Sequence, residues 1–214
     1  WKGRIDLVYQ SIEGLHAGPG PDLDYPLDRL AAETGVLDGV SYLGDGAVVE
    51  RLWTKPSVSV LAIDATPVKD ASNTLAPVAR AKVSLRLAPG DDAHSATQAL
   101  RRHLETHAPH GAHVTVMDGD AGQPGIIPFE GPVAELAQQA FAEAWGVEPV
   151  CIGQGGSIPM VADFQATFPD AAVLVTAVAD PDSRPHGIDE SLHLGDFAKA
   201  VLAEALLLAG LAGS

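Results

Sequence analysis

Hydrophobic and polar positions follow different rhythms in the two halves of this chain. In residues 78–87, VARAKVSLRL, the apolar side chains Ala79, Ala81, Val83, Leu85 and Leu87 alternate with Arg80, Lys82, Ser84 and Arg86. Successive side chains of a strand point to opposite faces, so this stretch predicts a half-buried strand. Residues 57–63, SVSVLAI, predict a second strand, and residues 113–117, HVTVM, a third. Between the last two, Ser95-x-x-Gln98 offers a capping box. The helix it opens carries Ala96, Leu100 and Leu104 on one face and stops before Pro109. Upstream, residues 14–28 are rich in Gly, Pro and Asp and read as a loop, with a short helix over Leu27–Thr34 that Gly35 ends. The order strand, strand, helix, strand over residues 57–118 predicts most of a small α+β sandwich, an antiparallel sheet with helices on one face.

After the linker-like GDAGQPG at 119–125 the pattern changes. Residues 132–145 predict an amphipathic helix with Leu136, Ala140, Phe141, Ala144 and Trp145 inward and Gly146 at its end. Residues 171–178, AAVLVTAV, are continuously apolar, as in a strand buried on both faces. Residues 195–211 predict a closing helix. This half reads as α/β, which places a domain boundary near residue 120, between units 1–120 and 121–214. One buried strand is too few for a doubly covered sheet. The second half is therefore expected to be part of a larger domain and to expose apolar surface.

Composition narrows the function classes. At 46% hydrophobic residues the chain can bury a core without staples. Cys151 is the only cysteine, which excludes a disulfide framework and favours a reducing, cytoplasmic setting. Flanked by Val150 and Ile152, it reads as a buried core thiol. The apolar run at 202–211 is too short to span a bilayer and is broken by Glu204 and Gly210. The first four residues lead into mixed charge rather than an apolar signal core. No membrane partner is expected. A net charge of −15 argues against nucleic acid, which needs a basic face.

Three stretches could carry chemistry. DPDSRPHGIDE at 180–190 follows the apolar run, where ligands of open α/β sheets sit. It surrounds His186 with Asp180, Asp182, Asp189 and Glu190; the plain alternative is a solvated acidic loop with an incidental histidine. His103 and His107 in HLETH have metal-capable i, i+4 spacing on a helix. In the zinc-protease motif, however, the glutamate directly follows the first histidine. Here it is Glu105, one residue later and turned ~100° away, so the stretch reads as a solvated helix face. Finally, IGQGGSIPM at 152–160 sets Gly155 and Gly156 before Ser157. Glycines let the backbone approach a ligand and expose its N–H groups. No Gly-x-Ser-x-Gly elbow surrounds Ser157, which makes it a binding hydroxyl rather than a nucleophile.

Taken in order, GGSIPMVADF, the apolar run, SRPHGIDESL and a closing helix resemble the C-terminal part of the carnosinase-type zinc metallopeptidases. That family includes acetylornithine deacetylase, succinyl-diaminopimelate desuccinylase and carboxypeptidase G. Upstream, RLWTKPSVSV and SNTLAPVARAKVSLRLAPGDD resemble its smaller lid domain, and the similarity, over about residues 50–212, looks closest to the dipeptidase branch. The resemblance implies part of a ferredoxin-like lid and dimerisation domain, followed by the C-terminal part of a three-layer α/β catalytic domain. It implies a zinc-dependent hydrolase of dipeptides or N-acyl amino acids bearing a free carboxylate, working as a homodimer through the lid.

By the same resemblance, His186 is the C-terminal zinc ligand, in His-Gly-Ile-Asp-Glu where His-Ser-Pro-Asn-Glu is usual. Arg86 binds the substrate carboxylate, Thr74 reaches the partner subunit's site, and Gly155, Gly156 and Ser157 hold the substrate's terminal carboxylate. Gln154 stands where dipeptidases often have Glu. The His-x-Asp, bridging Asp, Glu-Glu pair and further acidic ligand of the two-zinc centre have no recognisable counterpart in residues 1–49, nor is the lid histidine evident. The chain is thus expected to be part of such an enzyme and inactive alone. The competing reading is a non-catalytic, dimerising carboxylate binder.

Overall fold

The computed structural model describes residues 12–18, 20–153, 159–180 and 182–213. They form a mixed α/β chain of two compact units. The first draws on residues 1–25, 41–125 and 153–159, and the second on 26–40, 126–152 and 160–214.

The first unit is built on an antiparallel pair, β1 (Ser57–Asp64) and β2 (Arg80–Arg86). Ser57 lies opposite Arg86 and Val60 opposite Val83, after which an irregularity shifts the register so that Ala62 faces Lys82. The alternation read from the sequence survives in the second half of β2, where Val83 and Leu85 are half-buried and Lys82, Ser84 and Arg86 exposed, but not in the first, where Ala81 is as exposed as Arg80. A π-helical turn, Glu50–Thr54, leads into β1.

A helix, Ala93–Thr106, follows β2, and its first turn corrects the expected cap. Asp92, not Ser95, is the N-cap: its carboxylate accepts the Ser95 N–H at 2.8 Å. An aspartate at that position satisfies an orphan donor with a charge that the helix N-terminus favours. That hydrogen bond holds the Asp92 carboxyl below the usual aspartate range. Gln123 braces the same turn, donating to Asp92 Oδ2 and accepting from the Ala93 N–H, both at 3.1 Å. Ala93, Ala96 and Ala99 form the buried stripe.

The expected strand at 113–117 joins no ladder; the sheet among the described residues has two strands. Instead, Arg101 donates to the Val116 carbonyl at 2.7 Å and pairs with Asp118 at 2.6 Å, so a guanidinium takes the place of a neighbouring strand.

The second unit is helical among its described residues. For the whole chain we number the helices α1 (Leu27–Thr34), α2 (the helix at Ala93–Thr106), α3 (Pro132–Trp145), α4 (Pro159–Thr167) and α5 (Leu194–Ala212). Their ends were legible locally. Gly35 and Gly146 close α1 and α3 in left-handed conformation, and Pro132 sits at the start of α3. α3 packs on α5 through Ala137, Ala140 and Leu207, with Leu136, Leu174 and Leu206 against them. Small alanines, rather than the expected Phe141 and Trp145, sit deepest and bring the helices close.

Residues 171–178 are not the expected strand buried on both faces. Leu174 packs inward, but Val175 is half exposed, and no ladder forms because no described strand lies alongside to pair with. Phe164, Phe197, Val201 and Leu202 are also open to solvent, matching the expectation of exposed apolar surface in this half. No helix among the described residues is long and apolar enough to cross a membrane.

Candidate functional site

The segment from Asp180 to Asp196 joins the apolar run to α5 and concentrates unusual backbone. Arg184, His186 and Asp189 all have positive φ, at 50°, 63° and 61°. Non-glycine residues rarely adopt this conformation, and where they do the surroundings must over-determine it. The fixing contacts are visible. Asp180 Oδ1 accepts the Asp182 N–H and the Ser183 hydroxyl, both at 2.9 Å. Ser183 is buried, and its carbonyl accepts the Ser191 N–H at 3.0 Å, closing the base of the loop. The Gly187 N–H reaches the Arg184 carbonyl at 2.8 Å, a turn that presents His186 at its exposed tip.

The histidine that meets carboxylates here is not His186. Asp180, His193 and Asp196 bring one ligand atom each within 4.8 Å of one another, a group that the sequence reading missed. Its signal was His193-x-x-Asp196 at the start of an apolar helix. His193 is the N-cap of α5, its Nδ1 3.2 Å from the Asp196 N–H and 3.0 Å from the Asp196 carboxylate. The two contacts need opposite protonation of one nitrogen: a bare Nδ1 accepts from the backbone, a protonated one donates to the carboxylate.

The remaining expected site residues lie in the first unit or outside the described residues. Arg86 ends β2 on its exposed face, and no described carboxylate holds its guanidinium. Thr74 is exposed in the loop between the strands, its N–H 3.3 Å from the Ser72 hydroxyl. Gly155, Gly156 and Ser157, with Gln154, lie outside the described residues. The approach to them is described: a Cβ on Gly153 would come within 2.5 Å of the Trp53 side chain, so only glycine fits against that indole. Cys151 is exposed rather than a core thiol, as are Val150 and Ile152 beside it, because no strand or helix takes up this segment. On α2, His103 and His107 stack with ring centroids 4.2 Å apart, and burial together with the neighbouring His107 pushes the His103 pKa down.

Comparison with known proteins finds relatives for most of the chain. The peptidase dimerisation domain family matches residues 9–112. The chain is 32% identical over 202 residues to the cysteinylglycine-S-conjugate dipeptidase of Corynebacterium striatum, covering 92% of this chain and 44% of that protein. It is 24% identical over 182 residues to the Cys-Gly metallodipeptidase DUG1 of Saccharomyces cerevisiae, covering 82% of this chain and 37% of that one. The solved structure of Dug1p from Saccharomyces cerevisiae matches all of this chain and 50% of its own, with a TM-score of 0.75 at 21% identity. Residues 9–112 match the dimerisation domain of the M20 peptidases, and the chain is similar along most of its length to dipeptidases of that metallopeptidase family. The chain spans half or less of the length of these relatives.

Proposed function

We propose that these 214 residues serve as the dimerisation domain and the C-terminal part of the catalytic domain of a zinc metallopeptidase that cleaves dipeptides or N-acyl amino acids. The observation that carries this reading is the 32% identity to a dipeptidase over 202 residues, which extends well beyond residues 9–112 of the dimerisation domain. In that reading residues 1–120 act as lid and residues 121–214 as catalytic segment.

The residues are suited to binding. Arg86 offers a planar fork to the free carboxylate of the substrate. Thr74 meets the substrate in the partner subunit's site, which makes a homodimer part of the mechanism. Gly155, Gly156 and Ser157 supply backbone N–H groups and a hydroxyl to the same carboxylate. His186 contributes one metal ligand from the tip of its turn.

The described residues do not fit a complete zinc centre. Catalytic zinc takes about three protein ligands and a water. The only group of three potential ligands among the described residues omits His186. We therefore assign no bond-breaking step to this chain and expect it to be inactive alone, with the other ligands supplied by a longer protein in the cytoplasm.

The test is intact mass, metal content and dipeptide hydrolysis of the protein purified from its source cells. The proposal expects a longer, metal-containing, active species. His186→Ala in that species should lower kcat roughly 100-fold and deplete metal. A metal-free natural species of 214 residues would overturn it in favour of a non-catalytic, dimerising carboxylate binder.

A further inference from the structure

Near the C-terminal end of α2, two imidazoles lie on one face with one nitrogen already oriented for a ligand. His103 and His107 are one helical turn apart, and their rings stack at 4.2 Å between centroids and 23° between planes. His107 Nδ1 lies 2.8 Å from the His103 carbonyl oxygen. A carbonyl only accepts, so Nδ1 carries the proton and the lone pair falls on Nε2. The Thr106 hydroxyl agrees: it donates to the Arg102 carbonyl at 2.7 Å and leaves its oxygen, 3.1 Å from Nδ1, to accept as well. A histidine whose second nitrogen is held by a backbone carbonyl is the usual supporting arrangement of a metal ligand.

We propose that His103 and His107 form a two-histidine chelate for a divalent late transition cation such as zinc, nickel or copper. Imidazole suits these ions. Metal–nitrogen bonds of about 2.0–2.1 Å place two cis nitrogens roughly 3 Å apart. An imidazole lone pair lies in the ring plane, so the ion binds once the stack opens and the His103 ring, which no described hydrogen bond holds, turns its edge toward His107 Nε2. No described hydrogen bond engages the His103 ring, and the nearby Glu105 faces Arg101 at 3.7 Å rather than competing for either histidine. The site also lies in the last turn of its helix, where exposed carbonyls favour a cation. Water completes the coordination shell.

The experiment is a zinc titration of the 214-residue chain, followed through the histidine ring resonances. The His103 and His107 signals should shift together at the lowest zinc additions. His103→Ala and His107→Ala should each weaken that binding by roughly tenfold or more, while His94→Ala, on the same helix, leaves it unchanged. Zinc should also raise the thermal midpoint of the parent chain more than that of His107→Gln, which keeps a polar side chain at the position. Rings that shift independently, or that do not shift at millimolar zinc, would overturn the proposal. So would a His107→Ala chain with undiminished affinity at His103.

Discussion

Asp92 shows how a single side chain sets an element. Its carboxylate caps α2 through the Ser95 N–H and is tied to Gln123. Asp92→Ala should lower the thermal midpoint by a few degrees, because the first turn loses its acceptor. The pH dependence follows from the lowered carboxyl pKa. The cap contributes fully above the ordinary aspartate value and is lost as pH falls through the depressed one. Thermal melts from neutral pH to about pH 3 should show an acid-side loss in the parent that is smaller in Asp92→Ala. Gly153 makes a second case. Gly153→Ala sets a methyl against Trp53, so the indole must move; tryptophan fluorescence should report the shift, and an unchanged spectrum would contradict the packing. At this scale the sequence was informative where chemistry is local. Gly35, Gly146 and Pro132 mark helix ends by their own backbone preferences. His193 was missed because its partners Asp180 and Asp196 come together only when the loop closes on Ser183.

The α3–α5 pair carries the small core of the second unit. Leu207 is 7% exposed and meets Ala137 and Ala140, whose small side chains let the helices approach. Leu207→Ala should cost about 2–3 kcal/mol, at the lower end for a buried leucine because the cluster is small and can partly collapse. Urea denaturation checks this, and a loss within 0.5 kcal/mol would mean that the pair does not hold the unit. Helices were legible because their hydrogen bonds close within the segment. Strands were not always so. Residues 57–63 and 78–87 found each other as β1 and β2, but 113–117 and 171–178 have strand-like composition and no described partner. A strand is completed by its neighbour, and periodicity cannot supply one.

For the whole molecule, the open apolar side chains of the second unit and its partial coverage of longer relatives point the same way. Phe164, Phe197, Val201 and Leu202 lie exposed in a chain that covers 44% of its Corynebacterium striatum relative. Exposed apolar surface of this extent is costly in water if it is left uncovered. The isolated chain should bind a hydrophobic dye such as ANS more strongly than the protein purified from its source. Equal dye binding would mean that this surface is natural to the finished protein.

The family was legible because ordered motifs over some 160 residues are far more specific than any one of them, as His103–His107 shows by matching a zinc-protease spacing without its glutamate. The rest of the site was not, because a metal centre is assembled from distant segments. The central claim is that this chain holds only part of such a centre, and the most direct measurement is dipeptide hydrolysis by the purified 214-residue chain with added zinc. The account predicts none above the chain-free control, whereas zinc-dependent turnover abolished by His186→Ala would show that these residues complete an active site by themselves and contradict it.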